Sequence, residues 1–168
     1  MPRYNQKRNY LLSATDFDEL LEKIEPQYKA LVVLLYYTGI RISEALALTP
    51  GDFTETEEIL YVNVHRLKGS KQTYDLELPL TLRHLPFLLN TLAQTTQTMP
   101  LFNMTRQAVH YELHRVGLYP HFFRLNRITQ ILRKHSITDA QNWTGLTLQA
   151  LNSYMGKVTN ERIGKDLE

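Results

Sequence analysis

Five residues along the chain carry groups that can bind and cleave a phosphodiester: Arg41, Lys68, His121, Arg124 and Tyr154. A guanidinium group matches the spacing of phosphate oxygens and can bind two of them at once. Lysine and histidine can transfer protons, and a tyrosine can form a covalent phosphoryl intermediate. Because a free phenol has a pKa of about 10, such a tyrosine needs nearby cations to ionise. These residue types together predict attack of a tyrosine on a phosphodiester, with arginines in place of a metal ion.

Each of these residues also has an ordinary structural explanation when it is taken alone. Arg41 could pair with Glu44, a lysine in a turn is usually solvated, and the chain has ten tyrosines. The sequence around Arg41 and around the His121–Arg124 pair favours a functional site. Arg41 follows Gly39 between two apolar runs that hold its backbone rigidly, as a preorganised site requires. His121 and Arg124 are three residues apart at a predicted helix start, which places both on one face.

Composition narrows the class of protein. The chain has 168 residues, of which 43% are hydrophobic, and this is typical of one domain with a sizeable core. The absence of cysteine excludes disulfides and thiolate zinc sites. No apolar run in the sequence is long enough to span a membrane. The basic N-terminus is not followed by the apolar run that a secretion signal would have. The sequence also lacks a P-loop, a GxGxxG motif and an HExxH motif.

Charge is unevenly distributed along a chain whose net charge is only +2. Residues 1–80 carry nine Lys/Arg and twelve Asp/Glu, whereas residues 81–168 carry ten and five. Basic and aromatic residues are interleaved between residues 101 and 137, a pattern that fits contact with a polyanion. Charge alone still favours the alternative, an ordinary solvated face.

The hydrophobic pattern predicts a mainly helical α+β chain with one small antiparallel β-sheet or hairpin. A first helix begins near residue 12, with Ser13 or Thr15 as its cap, and Pro26 ends it or begins the next. Further helices are predicted at residues 28–37, from 41 or 43 to 48, and at 80–93, 105–116, 122–134 and 146–155. Strands at residues 59–64 and 73–78 form a hairpin with a basic tip, and Gly39 ends the apolar helix before it.

The order and context of these residues resemble the catalytic domain of the tyrosine recombinase (phage integrase) family. Residues 38–46, Thr-Gly-Ile-Arg-Ile-Ser-Glu-Ala-Leu, are similar to the family's first-arginine box. Residues 67–71 resemble its lysine hairpin, with Lys68 as the better match and Lys71 in reserve. The resemblance extends over nearly the whole chain, from about residue 12 to residue 156.

The C-terminal part of the resemblance includes some departures. Residues 121–124, His-Phe-Phe-Arg, resemble the His-x-Leu-Arg box, and Leu125 replaces the histidine that commonly follows it. The family usually has His or Trp after a glycine, about nine residues before the tyrosine. Leu146 occupies that position here after a one-residue shortening, strict counting gives Gly145, and Trp143 is two residues away.

The resemblance implies a role for each candidate residue. Tyr154 would attack a DNA phosphate and form a 3′-phosphotyrosyl link. Arg41 and Arg124 would hold the non-bridging oxygens, and Lys68 would protonate the 5′-oxygen leaving group. His121 would assist at the phosphate or accept the phenol proton. Glu44 in the first-arginine box would orient the arginines or the local helix.

The resemblance also implies a setting for this chemistry. It predicts no cofactor and no metal, double-stranded DNA as partner, a homotetramer on DNA, no membrane partner and a cytoplasmic, DNA-associated location. The expected organisation is a polar arm at residues 1–11, a catalytic domain at 12–156 and a tail at 157–168, without the helical domain that usually precedes the catalytic one. Two alternatives remain: a catalytically weakened DNA-binding homologue, and a type IB topoisomerase-like DNA-relaxing enzyme.

Overall fold

The computed structural model describes residues 11–66 and 73–155, and it confirms the mainly helical α+β architecture. The helices are α1 (Ala14–Lys23), α2 (Pro26–Thr38), α3 (Ile42–Leu46), α4 (Leu85–Gln94), α5 (Arg106–Arg115), α6 (Phe122–Lys134), α7 (Ile137–Thr144) and α8 (148–155). The strands are β1 (Phe53–Glu55), β2 (Ile59–His65) and β3 (Thr73–Pro79), preceded by a 3-10 turn at Pro50–Asp52. Within the described ranges, no helix combines the length and apolar character that a membrane crossing needs. The arm predicted at residues 1–11 lies almost wholly outside these ranges, and the predicted tail lies wholly outside them.

The start of α1 and the start of α2 follow the predicted signals. Ser13 caps α1: its Oγ accepts from the Asp16 backbone N–H at 3.1 Å, and the Asp16 carboxylate accepts from the Ser13 N–H. This reciprocal pair satisfies two N–H groups that the helix leaves open. Pro26 is the first residue of α2, where its missing N–H costs nothing.

Helix α2 forms the centre of the molecule. It is apolar on nearly every side, and its middle residues Leu31, Val33 and Leu34 are fully buried. A helix of this kind belongs inside a core, and α2 packs against both α4 and α6. It ends at Gly39, whose φ of 68° is left-handed and therefore favours glycine. The predicted buried helix and its glycine stop are confirmed.

The three strands form one antiparallel sheet in the order β1-β2-β3. Leu60 and Val62 of β2 stand opposite Leu78 and Leu76 of β3, and all four are buried on one face. The predicted hairpin is therefore confirmed. Strand β1 was not predicted, because a three-residue segment is too short to show alternation.

Two helices differ from the predictions. Helix α4 begins at Leu85 rather than near residue 80, because residues 80–84 are mostly turn and Pro86 suits a first helical turn. Helix α7 was not predicted at all. It is a short helix whose start is fixed by Ser136 and Asp139, which cap each other as Ser13 and Asp16 do in α1.

A small second core lies beside the main one. Its buried members come from α6, α7 and α8: Ile128, Leu132, Ala140 and Leu151. Helix α6 therefore contributes to both cores, since Phe122 and Phe123 at its start belong to the main core.

Candidate active site

Four of the five predicted residues line one surface cleft of about 440 Å³: Arg41, His121, Arg124 and Tyr154. They come from three places in the fold, namely the turn after α2, the start of α6 and the helix α8. Lys68 and its reserve Lys71 lie outside the described residues. The folded chain thus gathers side chains that are more than a hundred residues apart in sequence.

Arg41 is held by the short helix that follows it. It precedes the first residue of α3, and its Nη1 donates to Glu44 Oε1 at 3.1 Å. The Glu44 side chain is completely buried, whereas the Arg41 side chain keeps 28% of its surface exposed. The carboxylate therefore fixes one edge of the guanidinium and leaves the rest available to the cleft.

Arg124 is a buried cation with an unused donor. Only 7% of the residue is exposed, and its Nη1 donates to the Gly39 carbonyl at 3.0 Å. Its Nη2 is buried and finds no hydrogen-bond partner within the described part of the chain. Desolvation and the nearby Arg41 guanidinium lower the pKa of Arg124. Two guanidiniums in one pocket, one of them desolvated, favour the binding of an anion.

The Gly39 turn joins the two arginines. A Cβ on Gly39 would lie 2.6 Å from Arg127 Cβ, so the turn packs directly against α6. Its carbonyl holds Arg124, and two residues later the chain reaches Arg41. Glycine is required here by both the close approach and the positive φ.

His121 stands at the mouth of the cleft and is exposed. Partial desolvation lowers its pKa, and the cations Arg106, Arg124, His110 and Arg41 lower it further. The imidazole is therefore neutral at neutral pH, and a neutral imidazole can accept a proton.

Tyr154 reaches the cleft from α8. Helix α8 is capped by Thr147, whose Oγ1 accepts from the Ala150 N–H at 3.2 Å, and the Tyr154 ring packs against the second core. Tyr154 acts electrostatically on Arg124, raising its pKa, and on Tyr119, whose pKa burial also raises. The phenol and the buried guanidinium both line the cleft.

The residues near the family's usual His/Trp position do not contribute a polar group to this cleft. Leu146 lines the cleft, as does Leu125. Trp143 lies elsewhere: its Nε1 donates to the Thr38 carbonyl at 2.8 Å, and its ring lines a separate cavity of about 350 Å³.

Sequence reasoning missed Tyr74, which lies on β3 behind the arginines. Its hydroxyl is buried, and among the described residues it has no hydrogen-bond partner. Burial raises the pKa of Tyr74 to about 12, and the Glu44 carboxylate raises it as well. The guanidinium of Arg66 lies over the ring, with its Cζ 5.2 Å from the centroid. No sequence motif distinguishes this residue from the other tyrosines.

A sequence model of the phage integrase family matches residues 10–109, which is more than half of the chain. The chain belongs to the phage integrase family. The matched segment contains Arg41 and ends before His121, so the rest of the cleft lies beyond it.

Known phage integrase relatives are longer than this chain. The tyrosine recombinase XerD of Corynebacterium glutamicum is 40% identical over 62 residues, which cover 37% of this chain and 19% of that protein. The chain therefore spans about a fifth of this curated relative.

Three solved structures share the fold. The XerH site-specific recombinase bound to difH substrate, a pre-cleavage complex, has a TM-score of 0.69 at 20% identity, covering 85% of this chain and 49% of that one. XerH bound to palindromic difH substrate, a post-cleavage complex, has a TM-score of 0.74 at 19% identity, covering 97% and 55%. The XerA recombinase has a TM-score of 0.69 at 20% identity, covering 99% and 66%.

Proposed function

We propose that this phage integrase is a site-specific recombinase that cleaves and rejoins DNA through a 3′-phosphotyrosyl intermediate. One observation carries the proposal: Arg41, Arg124 and Tyr154 line the same cleft. A pair of guanidiniums is suited to a phosphate, and a phenol beside them is suited to attack it.

The arginines would act mainly on the transition state. Negative charge grows on the non-bridging oxygens as the fifth bond to phosphorus forms, and preorganised donors stabilise that charge best. Arg124 is preorganised because Gly39 holds one of its nitrogens and burial removes competing water. Its free Nη2 is the donor that a phosphate oxygen would use.

The remaining residues would move protons. The Tyr154 oxygen forms a bond to phosphorus, the bond to the 5′-oxygen breaks, and Lys68 gives that oxygen a proton. His121, neutral at rest, accepts the phenol proton. Attack by a 5′-hydroxyl of a second strand reverses these steps. The bond energy stays in the phosphotyrosine, so the exchange requires no nucleotide cofactor.

The proposal extends to the setting of the reaction. We place the protein on double-stranded DNA in the cytoplasm, as a homotetramer, with a catalytic domain at residues 12–156. Structural neighbours described as bound to difH substrate support the DNA partner.

A nicked suicide substrate tests the chemistry. When Tyr154 attacks near a nick, the short strand with the free 5′-hydroxyl diffuses away and cannot reverse the reaction. The covalent adduct therefore persists and is detected on a denaturing gel. We expect wild type to form the adduct and Tyr154→Phe to form none. Tyr111→Phe is the control, because Tyr111 is 74% exposed on α5 and outside the cleft. An adduct that persists in Tyr154→Phe would assign the nucleophile to another tyrosine.

Leu146 favours one alternative, a homologue that binds DNA but cleaves it weakly. An apolar side chain on the cleft wall gives the phosphate no hydrogen bond. Normal DNA binding by wild type without any trapped adduct would support that alternative. Relaxation of supercoiled plasmid by a monomer, without site preference, would instead support a topoisomerase-like enzyme.

A further inference from the structure

Tyr74 has a buried hydroxyl that the proposed mechanism does not use. No other described residue satisfies it, although a buried hydroxyl normally finds a partner. With its pKa raised to about 12, the phenol keeps its proton and can only act as a neutral donor or acceptor.

Three further side-chain atoms near Tyr74 are in the same condition. Glu44 Oε2, Arg66 Nε and Arg124 Nη2 are buried, and none of them has a hydrogen-bond partner in the described ranges. Their charges act on Tyr74 directly, since Glu44 raises its pKa and Arg124 lowers it. A hydroxyl, a carboxylate oxygen and two guanidinium nitrogens, each buried and without a partner among the described residues, therefore belong to neighbouring side chains around the arginine pair.

The ring of Tyr74 is held from its other side. Arg66 stacks over it, and the same guanidinium lies against the Gly145 turn, where a Cβ would come within 1.7 Å of Arg66 Nη2. Arg66 thus connects the Tyr74 ring to the turn that precedes α8.

We propose that Tyr74 is a positioning residue for DNA cleavage, which donates its hydroxyl hydrogen to Glu44 Oε2 when a phosphate occupies the cleft. Glu44 Oε1 already holds Arg41, so fixing the second oxygen sets the plane of the carboxylate and hence the direction of Arg41. Arg124 Nη2 then remains free for the phosphate. This proposal rests on the function proposed above.

A purely structural role of the hydroxyl makes a different prediction for the cleavage rate. Removal of a buried polar group without a partner leaves stability unchanged or increases it, and in that case cleavage continues at the wild-type rate. A positioning role predicts slower cleavage without weaker folding and without weaker DNA binding, because only the geometry of the arginine changes.

The test compares Tyr74→Phe with Tyr61→Phe, a control tyrosine on the adjacent strand β2 outside the cleft. We expect Tyr74→Phe to slow single-turnover adduct formation about tenfold, the loss typical of one orienting hydrogen bond. Its DNA affinity by fluorescence anisotropy should stay within about twofold of wild type, and its Tm should not fall. Tyr61→Phe should match wild type in all three measurements.

A second variant, Glu44→Gln, examines the partner. If Tyr74 acts through Glu44, the cleavage rate of the double variant should be no lower than that of the less active single variant. The inference is overturned if Tyr74→Phe cleaves at the wild-type rate, if its rate and Tm fall together, or if the two losses multiply. A wild-type protein that forms no adduct would instead refute the proposed function, so the two failures are distinguishable.

Discussion

The two ends of α6 lie in different cores, and this separates the arginine pair from the tyrosine. Phe122 and Phe123 at its start are buried in the large core around α2, where Gly39 also holds Arg124. The later residues of α6 pack in the small second core, on which Tyr154 rests. The proposed phosphate-binding groups thus stand on the larger core, and the proposed nucleophile stands on a much smaller one.

This difference suggests a division of labour. Regions with few buried contacts open locally at lower free energy than the main core does. Under the proposed mechanism, we therefore expect Tyr154 to move relative to a bound phosphate more easily than Arg41 and Arg124 do. The family match includes Arg41 and α2 but ends before α6, so Arg124 and Tyr154 both lie beyond it.

The largest effect on cleavage is expected at Arg124, and Arg127, one turn further along α6, provides the comparison. Arg124→Ala should slow adduct formation about 10²–10³-fold, the usual loss for one transition-state donor. Arg127→Ala should instead lower Tm, because Arg127 donates to the Tyr36 carbonyl and stacks on the Tyr36 ring. A neutral methylphosphonate at the cleavage position should reduce the Arg124→Ala defect, since less charge needs to be stabilised. Equal cleavage by Arg124→Ala and wild type would contradict the assignment of the clamp to the large core.

A matched pair of leucines tests whether the two cores are separate. Leu34→Ala and Leu151→Ala each remove a fully buried side chain, which costs about 2–5 kcal/mol. Leu34→Ala should lower the Tm of the whole chain. Leu151→Ala should accelerate hydrogen exchange in α7 and α8 and slow cleavage, while α2 stays protected. Faster exchange throughout the chain in Leu151→Ala would mean that the two cores unfold as one.

The pH dependence tests His121 at the border between the regions. Its pKa is lowered in the folded protein, so the neutral form persists to lower pH than in the unfolded chain. The second-order rate of cleavage should be flat above this pKa and fall about tenfold per pH unit below it. Acidification from the ordinary histidine pKa down to this lowered pKa should also reduce the free energy of unfolding, because in that range the unfolded chain binds the proton more readily.

Two variants complete the pH experiment. His121→Gln should remove the acidic limb of the rate profile. His114→Gln, which alters an exposed histidine on α5, should retain it. Retention of the limb in His121→Gln would assign it to another group.

The smallest effect is expected at Trp143, which ties α7 to the end of α2. Trp143→Phe removes the hydrogen bond to the Thr38 carbonyl, worth about 1 kcal/mol, and should lower Tm by about 2–4 °C. Adduct formation should change less than about twofold, since the ring lies outside the cleft. A large loss of cleavage with unchanged Tm would place Trp143 among the groups that align the nucleophile.

Local signals predicted most of the fold. The apolar run of α2 with Gly39 behind it, the cap of α1 and the full span of α6 all follow from periodicity and end signals. β1 and α7 could not be recognised in the same way because short elements are stabilised by what they pack against. The Ser136–Asp139 cap is the one local signal in the sequence that marks the start of α7.

The candidate site was predicted unevenly. Arg41, His121, Arg124 and Tyr154 were identified by residue type and family resemblance, and the structure places them in one cleft. Tyr74 could not be identified, since its importance depends on the burial of its hydroxyl next to charges from α3 and α6. Such a neighbourhood arises only after long-range packing.

The Gly39 turn sets a limit on how this site can be altered. One peptide carbonyl anchors Arg124, and the same turn directs the chain into Arg41, so a shift of that turn displaces both guanidiniums together. A shift of the turn therefore does not change the position of one guanidinium independently of the other. Engineering the protein to accept a different backbone linkage would therefore require changes in side-chain length at these two positions, because the main chain gives no means of moving one without the other.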